Sequence, residues 1–284
     1  MSHRIDTGNP TLQGETVRLA LLVEYNGSKY HGFQYQKNVA SIQGTIENAV
    51  FSLTGEPTRI KGAGRTDSGA HAIGQVVAFD TNIMYNPLVF TRAINSYLPQ
   101  DIVIKETVKT NISFDPRRDA IKRWYKFKIL NNPIRSPLFG DYTYNFRGDL
   151  DIESMRIASN MLEGTRNFAP FSGALSKESM STIRNMFEVT VTKDSDLVEF
   201  DFVANAFLPQ QVRRMAGALV DVGSGKLMVD EFYKLANSNT LGAANKVLDA
   251  KALYLMNVEY AVPIFEIQND FGVWEEALIE ANTI

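Results

Sequence analysis

The most unusual stretch of the sequence runs from Gly62 to Ala72 and reads Gly-Ala-Gly-Arg-Thr-Asp-Ser-Gly-Ala-His-Ala. Within it one carboxylate, Asp67, follows one guanidinium, Arg65, by two positions, and glycines and alanines surround both. A carboxylate can act as a nucleophile or as a general base, and small neighbours let a bulky ligand approach the backbone closely. The structural alternative is a hairpin connection, because Asp-Ser-Gly also suits a turn. A phosphate-binding Walker loop is excluded, since no Lys-Ser/Thr pair follows the glycines.

The cysteine and histidine content limits the chemistry that the chain can use. Cysteine is absent, which excludes disulfides, thiolate nucleophiles and cysteine-held zinc. The only histidines are His3, His31 and His71, too few and too scattered to indicate a metal cluster. We therefore expect a reaction that uses neither a metal nor a thiol.

The charge of the chain is unevenly distributed. A net charge of -3 and a pI near 5.7 argue against indiscriminate nucleic-acid binding. Residues 117–147, however, contain eight basic and two acidic residues, whereas six acidic residues and no Lys or Arg occur from Glu259 to the C-terminus. No apolar window is long enough for a membrane span, and the polar start has no apolar leader region, so a soluble, unexported protein is expected.

Hydrophobic periodicity and turn residues divide the chain into two similar halves. In the first half they predict a strand, a helix, two strands, a helix and a last strand, at 17–25, 41–54, 58–63, 73–80, 86–98 and 101–110. This order is the β-α-β-β-α-β unit of ferredoxin-like folds, which covers one face of a sheet with two helices. The loop with Asp67 is predicted to join the third and fourth elements.

The second half is predicted to repeat this order with longer loops. Its elements are a strand, a helix, two strands, a helix and a strand at 122–131, 151–162, 185–193, 198–205, from 208, and 252–260, with a short helix at 230–236 and long loops at 132–149 and 164–182. The fold class is therefore α+β, with two ferredoxin-like units whose mainly antiparallel sheets combine across a central cleft. We expect a flexible tail over 1–16, domains over 17–113 and 114–262, and an acidic tail over 263–284.

The stretch around Asp67 resembles the signature Gly-Arg-Thr-Asp-x-Gly-x-His of the TruA family of tRNA pseudouridine synthases, which the chain matches from Gly64 to His71. Further family-like segments follow in the family's order across about 17–260: Tyr25 to Gln34, Ser41 to Gly44, Arg123 to Tyr125, Arg184-Asn185, Asn205 to Leu208, Val212-Arg213 and Ala252 to Leu255. Phe33 stands where Trp is usual, Tyr35 where Arg is usual, and Pro209-Gln210-Gln211 where a Met commonly precedes Val-Arg. Several matches in one order make the resemblance specific.

The resemblance implies an isomerisation with Asp67 as its catalyst. Pseudouridine formation breaks the bond between ribose C1′ and uracil N1, turns the base and rejoins it through C5, so no cofactor is required. Asp67 would act as a nucleophile at the sugar or base, or as the base that removes a ribose proton.

Three further residues receive roles from the resemblance. Arg213 would form an ion pair with Asp67, Arg65 would take part in flipping the target nucleotide, and Tyr125 would pack on the uracil. Structural alternatives exist for each: a charge on a helix surface for Arg213, a phosphate contact for Arg65, and a core aromatic of a strand for Tyr125.

The basic run from Arg117 to Lys128 supplies two more candidates for substrate binding, Arg123 and Lys126. Lysines on a strand edge discourage aggregation, but the interleaved aromatics favour a surface that faces RNA, where rings stack on bases and cations meet phosphates. Because alternate residues of a strand face opposite ways, only half of the run would contact RNA.

The expected partner is the anticodon stem-loop of tRNA, bound in the central RNA-binding cleft. The resemblance also implies target uridines at tRNA positions 38, 39 and 40, a homodimer and a cytoplasmic location. Two other functions stay open: a non-catalytic RNA-binding or RNA-folding module on the same scaffold, which would predict loss of Asp67 or its arginines, and a related synthase that acts on another RNA.

Overall fold

A computed structural model describes residues 15–175 and 181–266. The predicted tail over 1–16 and the acidic segment over 263–284 lie outside the described residues, apart from 15–16 and 263–266. Among the described helices, none is long and apolar enough to cross a membrane.

The first half follows the predicted order of elements. They are β1 (Val17–Tyr25), α1 (Ile42–Thr54), β2 (Lys61–Gly62), β3 (His71–Thr81), α2 (Pro87–Tyr97) and β4 (Ile102–Thr110). Ser41 caps α1 by accepting a hydrogen bond from the Gly44 N–H, and Gly55 ends it at a φ of 72°. The strand predicted over 58–63 is wrong in length, because only two of its residues pair with β3.

The second half contains the predicted elements and two additional strands. They are β5 (Ala120–Asn131), β6 (Tyr144–Phe146), α3 (Ile152–Asn160), β7 (Gly164–Asn167), β8 (Ile183–Asp194), β9 (Leu197–Ala204), α4 (Gln211–Gly223), α5 (Val229–Ala236) and β10 (Leu253–Tyr260). The segments predicted as loops, 132–149 and 164–182, thus contain β6 and β7. The helix predicted from 208 begins later, because Gln210 has a left-handed φ of 59° that a right-handed helix does not accept.

The ten strands within the described residues belong to one sheet in the order β4-β1-β3-β10-β5-β9-β8-β7, with β2 paired to β3 and β6 to β5. The pairs are antiparallel except β10 with β3 and β5 with β6. The two halves therefore meet edge to edge, where Tyr254 and Leu255 of β10 pair with His71 and Ala72 of β3. The predicted α+β class with a mainly antiparallel sheet is confirmed, while the division into two ferredoxin-like domains stays a prediction.

Helix α4 packs unusually close to the segment that leads into β10. A Cβ atom added at Gly217 would lie 2.4 Å from the Lys246 carbonyl oxygen, so only glycine permits this approach. One turn earlier, the Arg213 Nε donates a 2.6 Å hydrogen bond to the Leu248 carbonyl. The packing of α4 against this segment thus fixes the direction of the Arg213 side chain.

We expect Gly217→Ala to lower the free energy of unfolding by about 1–3 kcal/mol, as overpacking does when the blocking atom belongs to the backbone. Gly223→Ala is the comparison in the same helix, because its Cβ would meet the buried Met155 side chain, which is more adaptable than a backbone carbonyl. Urea unfolding of both variants measures the difference. An equal loss in the two variants would contradict the close approach at Gly217.

Candidate active site

The loop that contains Asp67 is held in place by buried polar side chains. The Gln75 side chain, which has no exposed surface, donates to the Gly64 carbonyl at 2.9 Å and accepts from the Gly64 N–H at 3.3 Å. The Tyr25 and Thr66 hydroxyls form a buried 2.7 Å hydrogen bond, and burial raises the pKa of Tyr25 to about 12. These hydrogen bonds therefore fix the loop at Gly64 and Thr66, directly before Asp67.

The segment after β1 packs directly against this loop and explains its small residues. A Cβ added at Gly27 would lie 1.9 Å from the Ala70 carbonyl oxygen, and Gly32, at a φ of 89°, contacts the Thr66 backbone. The Phe33 N–H donates to the Thr66 carbonyl at 3.1 Å. The family-like segments from Tyr25 to Gln34 and from Gly64 to His71 thus pack against each other with their backbones in contact.

Asp67 and Arg213 form an ion pair. The Arg213 Nη1 donates to the Asp67 Oδ2 at 2.7 Å, and the exposed fractions of the two side chains are 17 % for Arg213 and 34 % for Asp67. Arg213 lies in the first turn of α4, whereas Asp67 lies before β3, so the pair joins the two halves of the chain. A partly exposed carboxylate held by a fixed guanidinium keeps its orientation and remains accessible to a ligand.

Tyr125 of β5 lies close to the Asp67 loop. Its ring is 7 % exposed and packs edge to face on Phe207 at 5.0 Å between centroids, and its hydroxyl lies 3.3 Å from the position of a Cβ at Gly64. Burial raises its pKa far above the ordinary value. A planar ring held at this place can serve as one wall of a base-binding pocket.

A cavity of about 470 Å³ lies above these residues, and both halves of the chain contribute to its wall. Its basic side chains are all arginines, and its acidic side chain is Asp67; the arginines are Arg65, Arg117, Arg123, Arg184 and Arg213. Across the described ranges, no group of three or more His, Asp or Glu is arranged to hold a metal ion. The cavity therefore combines one carboxylate with a strongly cationic wall.

Arg65, like Arg117, is exposed, whereas the other three arginines of the cavity are buried or half-buried. It lines both the main cavity and a neighbouring groove that also contains Arg59, Lys61 and Arg117. Within the part of the chain that the structure describes, its guanidinium has no hydrogen-bond or ion-pair partner. Arg65 is thus the guanidinium beside Asp67 that is free to contact a bound anion.

Arg123 lines the cavity but is occupied by the protein itself. It is 7 % exposed, and its guanidinium donates to four carbonyls, of which Arg117 and Asn205 accept at 2.6 and 2.7 Å and Ala63 and Ala120 at 3.2 Å. Burial lowers its pKa. Arg123 therefore joins three loops of the cavity wall, a role that its position in a basic run does not indicate.

Lys126 does not reach the cavity, because it alternates with Arg123 and Tyr125 along β5 and so faces the other side of the sheet. It is 4 % exposed and pairs with Glu199 at 3.1 Å and Asp201 at 3.9 Å. Of the six residues predicted for the site, the structure brings five to the cavity and places Lys126 elsewhere.

His71 anchors the end of the Asp67 loop to the junction between β3 and β10. Its Nδ1 accepts from the Gly27 N–H at 3.2 Å, and its Nε2 lies 3.0 Å from the Lys251 carbonyl, an arrangement that requires a neutral ring. Burial lowers its pKa. Arg184 and Phe207 also line the cavity, and they lie in two of the family-like segments, although neither was predicted from the sequence to have a role in the site. Gln75 supports the loop, and nothing in its own sequence neighbourhood separates it from an ordinary strand residue.

Comparison with known proteins gives one consistent family. The family model described as tRNA pseudouridine synthase matches residues 21–117 and 158–261. A tRNA pseudouridine synthase A of Acetivibrio thermocellus is 39 % identical over 242 residues, which cover 84 % of this chain and 98 % of the relative. Proteins of the same name from Thermoanaerobacter sp. and Vibrio campbellii are 37 % identical (84 % of this chain, 98 % of the relative) and 35 % identical (86 % and 92 %).

The neutral His71 predicts a pH dependence of stability. Because the folded-state pKa lies below the ordinary 6.5, the unfolded chain binds a proton that the folded chain does not, and stability falls as the pH drops from about 6.5 through the folded-state pKa. The loss approaches about 1.4 kcal/mol per pH unit for one group. Urea unfolding between pH 7.5 and 5 should show a shallower decline for His71→Gln than for the control His31→Gln, whose histidine is exposed. Equal declines would refute it.

Proposed function

Because this chain belongs to the tRNA pseudouridine synthase family, we propose that it isomerises uridine to pseudouridine in tRNA with Asp67 as its catalyst. The observation that carries the proposal is the 2.7 Å ion pair of Asp67 with Arg213 in a cavity whose other charged side chains are arginines. A cationic cavity attracts RNA phosphates, and its single carboxylate is available for covalent or proton-transfer chemistry.

The reaction needs one reactive group because it is balanced within the substrate. The glycosidic bond from C1′ to N1 breaks, the base turns, a bond from C1′ to C5 forms, the C5 proton leaves and N1 gains a proton. Asp67 acts either as a nucleophile at the sugar or base, or as the base that removes a ribose proton. All these routes use the ionised carboxylate, and the hydrogen bond from Arg213 orients it.

Tyr125 and Arg65 have complementary roles in presenting the target uridine. Tyr125 packs on the flipped uracil, because its ring is fixed by Phe207 and lies beside the loop of Asp67. Arg65 occupies the space from which the base departs, since it is exposed at the mouth of the cavity without a protein partner among the described residues. Filling that space offsets part of the few kcal/mol that base extrusion costs.

The substrate element of the proposal is the anticodon stem-loop, with targets at tRNA positions 38, 39 and 40. The groove that continues from the cavity contains four basic residues, Arg65, Arg117, Lys61 and Arg59, against one acidic residue, Asp115, and so gives flanking phosphates a net cationic path. Following the family resemblance, the enzyme acts in the cytoplasm as a homodimer. Mapping pseudouridines in tRNA from cells with and without the protein tests the target positions.

Tyr125→Phe should keep most of the activity, because the ring that stacks on uracil is retained. Tyr125→Leu keeps apolar bulk but removes the planar ring, and should slow single-turnover conversion by roughly ten- to a hundredfold, the range that loss of one base–aromatic stack produces. Thermal unfolding of both variants controls for damage to the fold. A folded Leu variant with the wild-type rate would remove Tyr125 from the substrate pocket.

Asp67→Asn should abolish isomerisation while tRNA binding persists, because affinity comes mainly from phosphate and stacking contacts elsewhere. Asparagine keeps the size of the side chain and can still form a local turn hydrogen bond, so a purely structural Asp67 predicts an active variant. Tritium release from 5-tritiated uridine in tRNA, measured alongside filter binding, separates these cases.

Asp80→Asn is the matched control for this experiment. Asp80 also forms an ion pair with an arginine, Arg18, at 2.6 Å, but it lies outside the cavity. Its variant should release tritium at the wild-type rate. Near wild-type release by a folded Asp67→Asn variant would end the proposed mechanism.

A further inference from the structure

Arg184, near the start of β8, is a buried arginine whose donors are incompletely used. It is 8 % exposed, and its Nη1 donates at 2.6 Å to the carbonyls of Ser181 and Ile183. Its Nε is fully buried without a hydrogen-bond partner, and its Nη2 donates to no atom of the described ranges. No carboxylate within them forms an ion pair with it.

The buried Arg123 and the half-buried Arg213 are satisfied by the protein. Arg213 pairs with Asp67, and Arg123 donates to four carbonyls. Burial of a guanidinium without a counter-charge is unfavourable, and burial alone lowers the pKa of Arg184. A charge retained at such a cost, in the wall of an open cavity, indicates that its anionic partner is a ligand.

The position of Arg184 indicates which part of the ligand it meets. Arg123 pairs with Ala204 of β9, and Ala204 with Met186 of β8, so Arg184, two residues from Met186, faces the same side of the sheet as Arg123. Arg184 lies two strands beyond β5 and therefore about 10 Å further along the sheet. It is on the side of the cavity away from β3, where a neighbour of the target uridine would lie.

We propose that Arg184 is a phosphate-binding residue that contacts the RNA backbone at a nucleotide flanking the target uridine. The inference rests on the proposed function and extends it to a residue outside the Asp67–Arg213 pair. A guanidinium whose Nη1 is held by two carbonyls has its plane fixed, and its Nη2, which is not among the fully buried atoms without a partner, can donate to a phosphate oxygen. The contact positions the strand without reading its sequence.

The first experiment is the salt dependence of tRNA binding by the full chain. Arg184→Gln removes the charge but can still donate to the Ser181 carbonyl. We expect it to weaken tRNA binding about tenfold. It should also reduce the slope of log K against log salt by roughly 0.7–0.9, the contribution of one phosphate contact. Arg184→Lys should restore most of the slope, because it keeps the charge. An unchanged slope for a folded Arg184→Gln variant overturns the proposal.

Arg166→Gln is the matched control. Arg166 pairs in register with Arg184 on the adjacent strand β7 and also donates to a carbonyl, that of Met161, and to Asn237, but it does not line the cavity. Its variant should keep the wild-type slope. If Arg184 only supported its loop, Arg184→Gln would lower Tm and leave the salt slope of tRNA binding unchanged. Arg184→Lys would then not bind tRNA more tightly than Arg184→Gln.

The second experiment locates the contact. Anticodon stem-loops that each contain one neutral methylphosphonate linkage are tested against wild type and Arg184→Gln, and one linkage should weaken wild-type binding but leave the variant unaffected. If every linkage weakens binding by the same factor in wild type and in Arg184→Gln, the proposal is overturned. Tritium release by the wild-type protein tests the proposed function separately. If the wild type releases tritium but wild type and Arg184→Gln have the same salt slope, only the phosphate site is rejected. If one linkage affects wild type but not the variant and no tritium is released, only the isomerase function is rejected.

Discussion

The ion pair of Asp67 with Arg213 is the interaction on which the arrangement of the site depends, because it joins side chains 146 positions apart. A contact of 2.7 Å between two charged groups requires both backbones to be fixed independently. Gln75 fixes the loop of Asp67, and the Leu248 carbonyl fixes the guanidinium of Arg213. The site therefore consists of two rigid supports that meet at one charged pair.

The sheet and the close backbone contacts provide these supports. The parallel pairing of β10 with β3 begins directly after the Asp67 loop, so the edge where the two halves join is also the floor of the site. Glycines permit backbone contact on both sides, at Gly27 against the loop and at Gly217 against the segment before β10. Larger residues at either place would separate a support from the pair that it positions.

The charge of the cavity differs from that of the chain, and this difference reconciles an acidic protein with an RNA substrate. The net charge is -3, yet five arginines and one carboxylate line the cavity. Low-dielectric walls strengthen a local field, so the concentration of charge in a cleft decides ligand attraction more than the total does. Two of the arginines serve the protein, Arg123 through carbonyls and Arg213 through Asp67, so Arg65, Arg117 and Arg184 are the ones that we propose for phosphate contacts.

The sequence by itself determined the α+β class, most element positions and the residues of the motif, because helix caps, periodicity and small-residue loops are local signals, and because the resemblance places Asp67, Arg213 and Tyr125 in one site. Only the tertiary structure decided that the halves share one sheet, that Lys126 faces away from the cavity, and that Arg123 holds loops together. Pairing between distant strands, the face on which a strand residue lies and the partners of a buried guanidinium depend on contacts between remote segments, which local patterns do not encode.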